Sequence, residues 1–154
     1  MPDPGVWSCR CNDAGVVSLW DATTGSVVSE FDAHEQRIWS LDFCKASPGV
    51  DARSRPKSPR GCTLRHSQLT VRSLVPLQTE QQYFVTGSDD GRVRVWSTRS
   101  PQAAFTVSTG LNVCCVNYSP NSSHTVAVGS VNHQIYIYDI RNVAAPLHTF
   151  QGHK

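Results

Sequence analysis

Charge is scarce in this chain and nearly balanced. Lysine and arginine number 14 against 12 aspartates and glutamates, a formal net charge of +2 over 154 residues. So small an excess does not make a nucleic acid or an anionic membrane the main partner. Long apolar runs are missing too, and none approaches the roughly eighteen residues of a membrane span. The opening Met1-Pro2-Asp3-Pro4-Gly5 has neither the basic nor the apolar region of a secretory signal, so an intracellular, reducing compartment is expected. Helical periodicity is absent as well. The 6 cysteines include no CxxC pair, and no histidine pair completes a zinc pattern. Buried free thiols are the expectation, with no metal and no cofactor. Cys114 and Cys115 are neighbours in an apolar strand, where side chains alternate between faces.

What the chain does have is a repeat. Ala14-Gly15-Val16-Val17-Ser18-Leu19-Trp20-Asp21, Asp90-Gly91-Arg92-Val93-Arg94-Val95-Trp96-Ser97 and Asn132-His133-Gln134-Ile135-Tyr136-Ile137-Tyr138-Asp139 each read as a tight turn, a β-branched strand and an aromatic. Trp96 and Tyr138 lie 42 residues apart, the WD-repeat period. Trp20 and Trp96 lie 76 apart, so one repeat carries an insertion of about 34 residues. The composition shift over residues 46–82, with Ala46-Ser47-Pro48-Gly49 and Ser54-Arg55-Pro56-Lys57-Ser58-Pro59-Arg60, locates it. This basic Pro/Ser/Arg-rich stretch resists packing and is expected to be disordered. It reads as a solvated loop, as translated non-coding sequence, or as a phosphorylated targeting signal. A nucleic-acid role would rest on its arginines alone.

The predicted class is all-β, a partial WD-repeat β-propeller of about three blades. Residues 1–13 stay unassigned, with no strands recognisable in Val6–Cys11. Residues 14–45 end one blade and begin the next, and residues 83–154 complete the blades up to the start of a further repeat. In the second blade His34, Thr86, Asp90 and Trp96 are spaced as the buried polar network of a WD repeat, which makes His34 structural. Asp89-Asp90-Gly91 is first of all a hairpin turn. The third blade departs from this set, with Asn132 for Asp, Val128 for Thr and Tyr138 for Trp. In the first blade Ala14 takes the Asp position. No set of acids, bases or metal ligands converges apart from His34 and Asp90, so no catalytic site is expected. A protein-binding scaffold is the class this supports.

The wording of the repeats is more specific than the WD pattern. Ala33-His34-Glu35-Gln36-Arg37-Ile38-Trp39-Ser40-Leu41-Asp42-Phe43, Asn112-Val113-Cys114-Cys115-Val116 and Tyr138-Asp139-Ile140-Arg141-Asn142 appear in order. Over residues 14–45 and 83–154 the chain resembles the WD domain of the constitutively photomorphogenic ubiquitin ligase and its suppressor-of-phytochrome partners. The resemblance implies a nuclear and cytoplasmic substrate-recognition module in light signalling. It also implies Val-Pro peptide motifs and the cullin-4 adaptor as protein partners, with no membrane, nucleic acid or small-molecule substrate. Trp39 matches the pocket tryptophan of the family, and Asn112 and His133 border the same opening. The tyrosine that the family places in the first turn is absent from Asn12-Asp13-Ala14-Gly15. Tyr138, Asp139 and Arg141 fit the ending by which cullin-4 receptors contact their adaptor. Each set has a plain alternative: Trp39 packing between blades, and Arg141 bonding its own turn.

Overall fold

The computed structural model describes residues 6–21, 23–44, 75–76 and 83–152. Its strands are β1 (Val6–Cys11), β2 (Val16–Asp21), β3 (Ser26–Asp32), β4 (Ile38–Phe43), β5 (Val75–Pro76), β6 (Tyr83–Ser88), β7 (Arg92–Ser97), β8 (Ala103–Ser108), β9 (Val113–Tyr118), β10 (Thr125–Ser130), β11 (Gln134–Asp139) and β12 (His148–Gln151). They form three antiparallel sheets, ordered β3-β2-β1-β5, β4-β6-β7-β8 and β9-β10-β11-β12. In the second and third sheets each strand pairs with the one before it in that sheet, so these two blades are meanders. Among the described residues there is no helix.

Glycine and its substitutes make the hairpins. Gly15 and Gly91 stand at the same place in successive turns with φ of 82° and 72°. In the third blade that place belongs to His133, at φ 63°. Histidine is among the few non-glycine residues that enter this left-handed region with some frequency. Gly15 is the least replaceable, because a Cβ there would lie 1.9 Å from the His34 carbonyl oxygen. That approach serves the next blade: the Ala33 and His34 N–H groups both donate to the Gly15 carbonyl at 2.9 Å.

The alternation of the strands builds two cores, one in each gap between blades. Cys9, Cys11, Val17, Leu19 and Phe31 of the first blade meet Ile38, Leu41, Phe43, Phe84 and Trp96 of the second. The opposite face of the second blade brings Val85, Val93, Val95 and Val107 against Val113, Val116, Tyr118, Val126, Val128 and Tyr138 of the third. At about 25 cal/mol per Å² of apolar surface buried, such interfaces are the main stabilising contribution. Polar stitches join the innermost strands: Tyr118 N–H donates to Asp42 Oδ2 at 2.9 Å, and Val116 N–H to Ser40 Oγ at 3.2 Å.

Three sequence expectations change. Val6–Cys11, left unassigned, is the strand β1, and its Cys9 and Cys11 reach the core. Ser8 and Arg10 take the outward positions of a regular alternation, which is too short to stand out by itself. Within 46–82, Val75 and Pro76 form a short strand against β1 where disorder was expected; the rest of that segment lies outside the described residues. Burial of the thiols holds at Cys9 and Cys11 but not at Cys114 and Cys115, which are exposed. Those two sit on the innermost strand β9 at a break in its pairing, where Gly129 opposes Cys115 and Ser130 opposes Val113. Cys62 lies outside the described residues.

Candidate protein-interaction surface

Two ends of the blades carry the candidate residues, and the strand direction separates them. β4 enters at Ile38 and leaves at Phe43, while β11 starts beside His133 and ends at Asp139. At about 3.3 Å per residue, six residues place the two ends roughly 20 Å apart.

At the entry end, Trp39 is left out of the β4–β6 ladder, since Ile38 opposes Ser88 and Ser40 opposes Gly87. A bulge of this kind re-aims a side chain. Ile38 goes fully into the core and Trp39 stays half-buried, on no interblade cluster. Simple alternation from Ile38 gave this orientation for an incomplete reason, because the bulge sets it. Arg37 lies over the indole, its guanidinium carbon 5.1 Å from the ring centroid. Asp13 of the preceding turn holds that guanidinium at both ends, with 2.7 Å from Nε to Oδ1 and 2.9 Å from Nη2 to Oδ2. The ring is therefore fixed from one side.

The same arrangement recurs one blade on. Asn112, the residue before β9, donates from Nδ2 to Asp89 Oδ1 at 2.8 Å, as Arg37 does to Asp13. Its carbonyl accepts from Val131 N–H and from Ser130 Oγ, both at 3.1 Å, which brings the His133 turn alongside. Asn112 and His133 are exposed, and they share the entry end with Trp39. Cys114, at the equivalent bulge, takes the place of Trp39 in this blade. Sequence reading missed Asp13, Asp89 and Arg37. Their signal was the repeated acid just before the turn, which alone does not say what it reaches.

At the exit end, Asp139 and Arg141 form a closed fork. The Arg141 N–H and Nε donate to Asp139 Oδ1 at 2.9 and 3.0 Å, and Nη2 to Oδ2 at 2.6 Å. Those bonds hold the Asp139 carboxyl well down, at about 2, and raise Arg141. Arg141 thus bonds its own turn, although two N–H donors so used do not exhaust a guanidinium. Its side chain is 65% exposed. Tyr138 has a different position: it is 7% exposed and packed in the core between blades, so Asp139 and Arg141 alone of this set face solvent.

Between the ends runs the polar chain of the second blade. Trp96 Nε1 donates to Thr86 Oγ1 at 3.0 Å; Thr86 Oγ1 lies 2.8 Å from His34 Nε2, and His34 Nδ1 2.8 Å from Asp90 Oδ2. Burial lowers the His34 pKa more than its bond to Asp90 raises it. A neutral imidazole with its proton on Nδ1 fits both contacts of His34, donating to Asp90 and accepting from Thr86 at 2.8 Å, shorter than the 3.3 Å from Thr86 Oγ1 to the Arg94 carbonyl. Asp90 in turn accepts from the Arg92 N–H at 2.9 Å, closing the hairpin. In the third blade Asn132 instead donates to Tyr136 Oη at 2.7 Å. In the first, Arg10 stands where Thr86 would, its guanidinium carbon 5.7 Å from the Trp20 ring centroid, and Trp20 Nε1 is buried without a partner. These groups hold turns; none of them frames a reaction.

Four-stranded antiparallel sheets packed face to face, the second tied by the inward His34, are the blades of a β-propeller. The chain belongs to the WD-repeat family: the WD domain, G-beta repeat, matches residues 59–97 and 100–139. Among curated proteins it is similar to the E3 ubiquitin-protein ligase COP1 of Arabidopsis thaliana, 36% identical over 91% of this chain and 16% of that protein. It is also similar to the Protein SUPPRESSOR OF PHYA-105 1 of the same plant, 33% identical over 91% of the chain and 10% of the relative. The Protein SPA1-RELATED 4 is 32% identical over 92% and 14%. The chain spans about a sixth or less of the length of these relatives. It is a WD-repeat protein-interaction module related to this group.

Proposed function

We propose that the chain recognises substrates for a cullin-4-associated ubiquitin ligase in light signalling, taking Val-Pro peptide motifs at its entry end. The observation that carries this reading is the posture of Trp39: half-buried, outside both cores, and backed by the Arg37–Asp13 pair. A fixed indole offers a flat apolar face on which a proline ring can stack. Asn112 and His133 on the same end supply polar groups beside it. Asp139 and Arg141 at the far end are the surface proposed for the cullin-4 adaptor.

Trp39→Ala should weaken a labelled Val-Pro peptide by about 2 kcal/mol or more, the scale of an interface hot spot, while leaving the adaptor unaffected. Arg141→Ala should weaken the adaptor by about tenfold and leave the peptide alone. Loss of both activities with Trp39→Ala, together with a lowered melting point, makes the indole a packing residue and ends the pocket assignment.

One observation favours a second reading, a protein scaffold without a ligase. Arg141 already has its fork on Asp139. Adaptor binding unchanged by Arg141→Ala decides for the scaffold.

A further inference from the structure

At the exit ends of the second and third blades stands one turn with different side chains. Tyr83 opposes Ser97 as Thr125 opposes Asp139, so Ser97 and Asp139 are equivalent, and so are Arg99 and Arg141. The backbone agrees. Ser100 N–H donates to the Ser97 carbonyl at 3.2 Å, and Asn142 N–H to the Asp139 carbonyl at 2.9 Å. One residue earlier, Arg99 N–H donates to Ser97 Oγ at 3.3 Å, and Arg141 N–H to Asp139 Oδ1 at 2.9 Å.

What differs is the anion. Asp139 closes a fork on the Arg141 guanidinium, whereas Ser97 has only a hydroxyl. Arg99 is exposed, and among the described residues no carboxylate lies within ion-pair distance of its guanidinium. The second blade therefore keeps the arginine of this turn without its acid.

The next two residues offer a place for one. Ser100 is followed by Pro101, the dipeptide that proline-directed protein kinases accept, and Arg99, Pro101 and Gln102 are all exposed. Ser100 itself is half-buried, and its Oγ accepts from the Gln102 N–H at 3.3 Å. The hydrogen bonds of residues 99, 100 and 102 run within the turn itself, the kind of segment that opens locally at low cost. The other Ser-Pro pair among the described residues, Ser119-Pro120, has no basic residue beside it in the chain.

We propose that Ser100 is a phosphorylation site for a proline-directed kinase, and that its phosphate closes on Arg99 as Asp139 closes on Arg141. In the transfer the bond from Ser100 Oγ to the γ-phosphorus of ATP forms while the bond from that phosphorus to the bridging oxygen breaks. ADP leaves, and the hydroxyl proton passes to the base of the kinase. A phosphoserine carries a charge of roughly −1.5 to −2 and three acceptor oxygens, which suit the planar fork of a guanidinium. The second blade then presents a closed turn in place of an exposed cation, and an acidic partner surface loses that cation. The inference does not depend on the peptide or adaptor assignments.

Mass-spectrometric mapping of phosphate tests the first half. A synthetic peptide of residues 95–105 selects a proline-directed kinase active on this sequence, and the same kinase, with magnesium and ATP, is applied to the folded full chain. Phosphate is expected on Ser100, absent in Ser100→Ala and much slower to appear in Pro101→Ala. A peptide that no such kinase accepts overturns the proposal. So does a kinase that labels the peptide and leaves Ser100 of the folded chain unlabelled, or one that labels Pro101→Ala at the parent rate. Nitrogen NMR tests the second half. On phosphorylation, exchange of the Arg99 Nε–H should slow about tenfold, the scale of one charge-assisted hydrogen bond, while that of Arg141 stays as it was. Unchanged exchange at Arg99 removes the closure, and equal slowing at Arg141 assigns the effect to the whole chain and overturns the local pairing.

Discussion

Trp96 and Tyr138 occupy the same place in successive blades, but Trp96 alone ends in a buried polar contact. The Trp96 Nε1 reaches Thr86 Oγ1 at 3.0 Å, whereas Tyr138 has Val128 where Thr86 would be. Both rings are buried in interblade cores.

Trp96→Ala should therefore cost about 3–5 kcal/mol, since it empties core volume and leaves the Thr86–His34–Asp90 chain incomplete. Tyr138→Ala should cost less, because its loss breaks no such chain. Urea unfolding of both variants measures the difference. Equal costs would falsify the idea that the polar chain contributes to stability.

His34 gives stability a pH dependence of fixed sign. Burial holds its pKa below the ordinary value of about 6.5, the value it regains on unfolding. Between these two values the unfolded chain binds the proton that the folded chain refuses. The contribution is complete above about pH 6.5 and is lost as pH falls through the folded value. Denaturation midpoints between pH 8 and pH 5 should decline on acidification, and less steeply in His34→Gln. A slope identical in that variant assigns the effect to other groups.

Gly15 and His133 hold one backbone posture with opposite consequences for substitution. Gly15→Ala should destabilise by about 1–3 kcal/mol from the positive φ alone, and by more because its Cβ would meet the His34 carbonyl. His133→Gly should be neutral or mildly stabilising, since it relieves a non-glycine residue at φ 63°. A melting point lowered by His133→Gly shows that the imidazole makes contacts that offset the strain.

Arg37 should act on Trp39 through orientation. Removing the guanidinium over the ring, as in Arg37→Leu, should weaken a Val-Pro peptide by about 0.5–1 kcal/mol, the scale of an exposed cation–π contact. Asp13→Asn should have a smaller effect in the same direction, because it loosens the clamp and keeps the stack. Peptide titration at two salt concentrations separates them: the Asp13 effect should fade with added salt.

The sequence by itself determined the repeat. A turn, a β-branched strand and an aromatic recur at fixed offsets, and that period requires a blade because alternate residues must bury two faces of one sheet. It also located His34, Thr86, Asp90 and Trp96, whose residue types make sense only as a hydrogen-bonded chain. Tertiary structure decided what period cannot express. Val6–Cys11 became a strand because its cysteines packed into a core shared with Phe43, Phe84 and Trp96 of the next blade, a contact that its short Ser8–Cys11 alternation does not announce. Trp39 and Cys114 were aimed by bulges, which shift register by one residue and leave no mark in a hydropathy pattern. The Asp13–Arg37 and Asp89–Asn112 contacts, the fork of Arg141 on Asp139 and the pairing of Val75 with Trp7 are distances between chain segments. Such distances exist only once the blades have packed, because packing against a neighbour, and not local preference, sets where each edge and turn comes to lie.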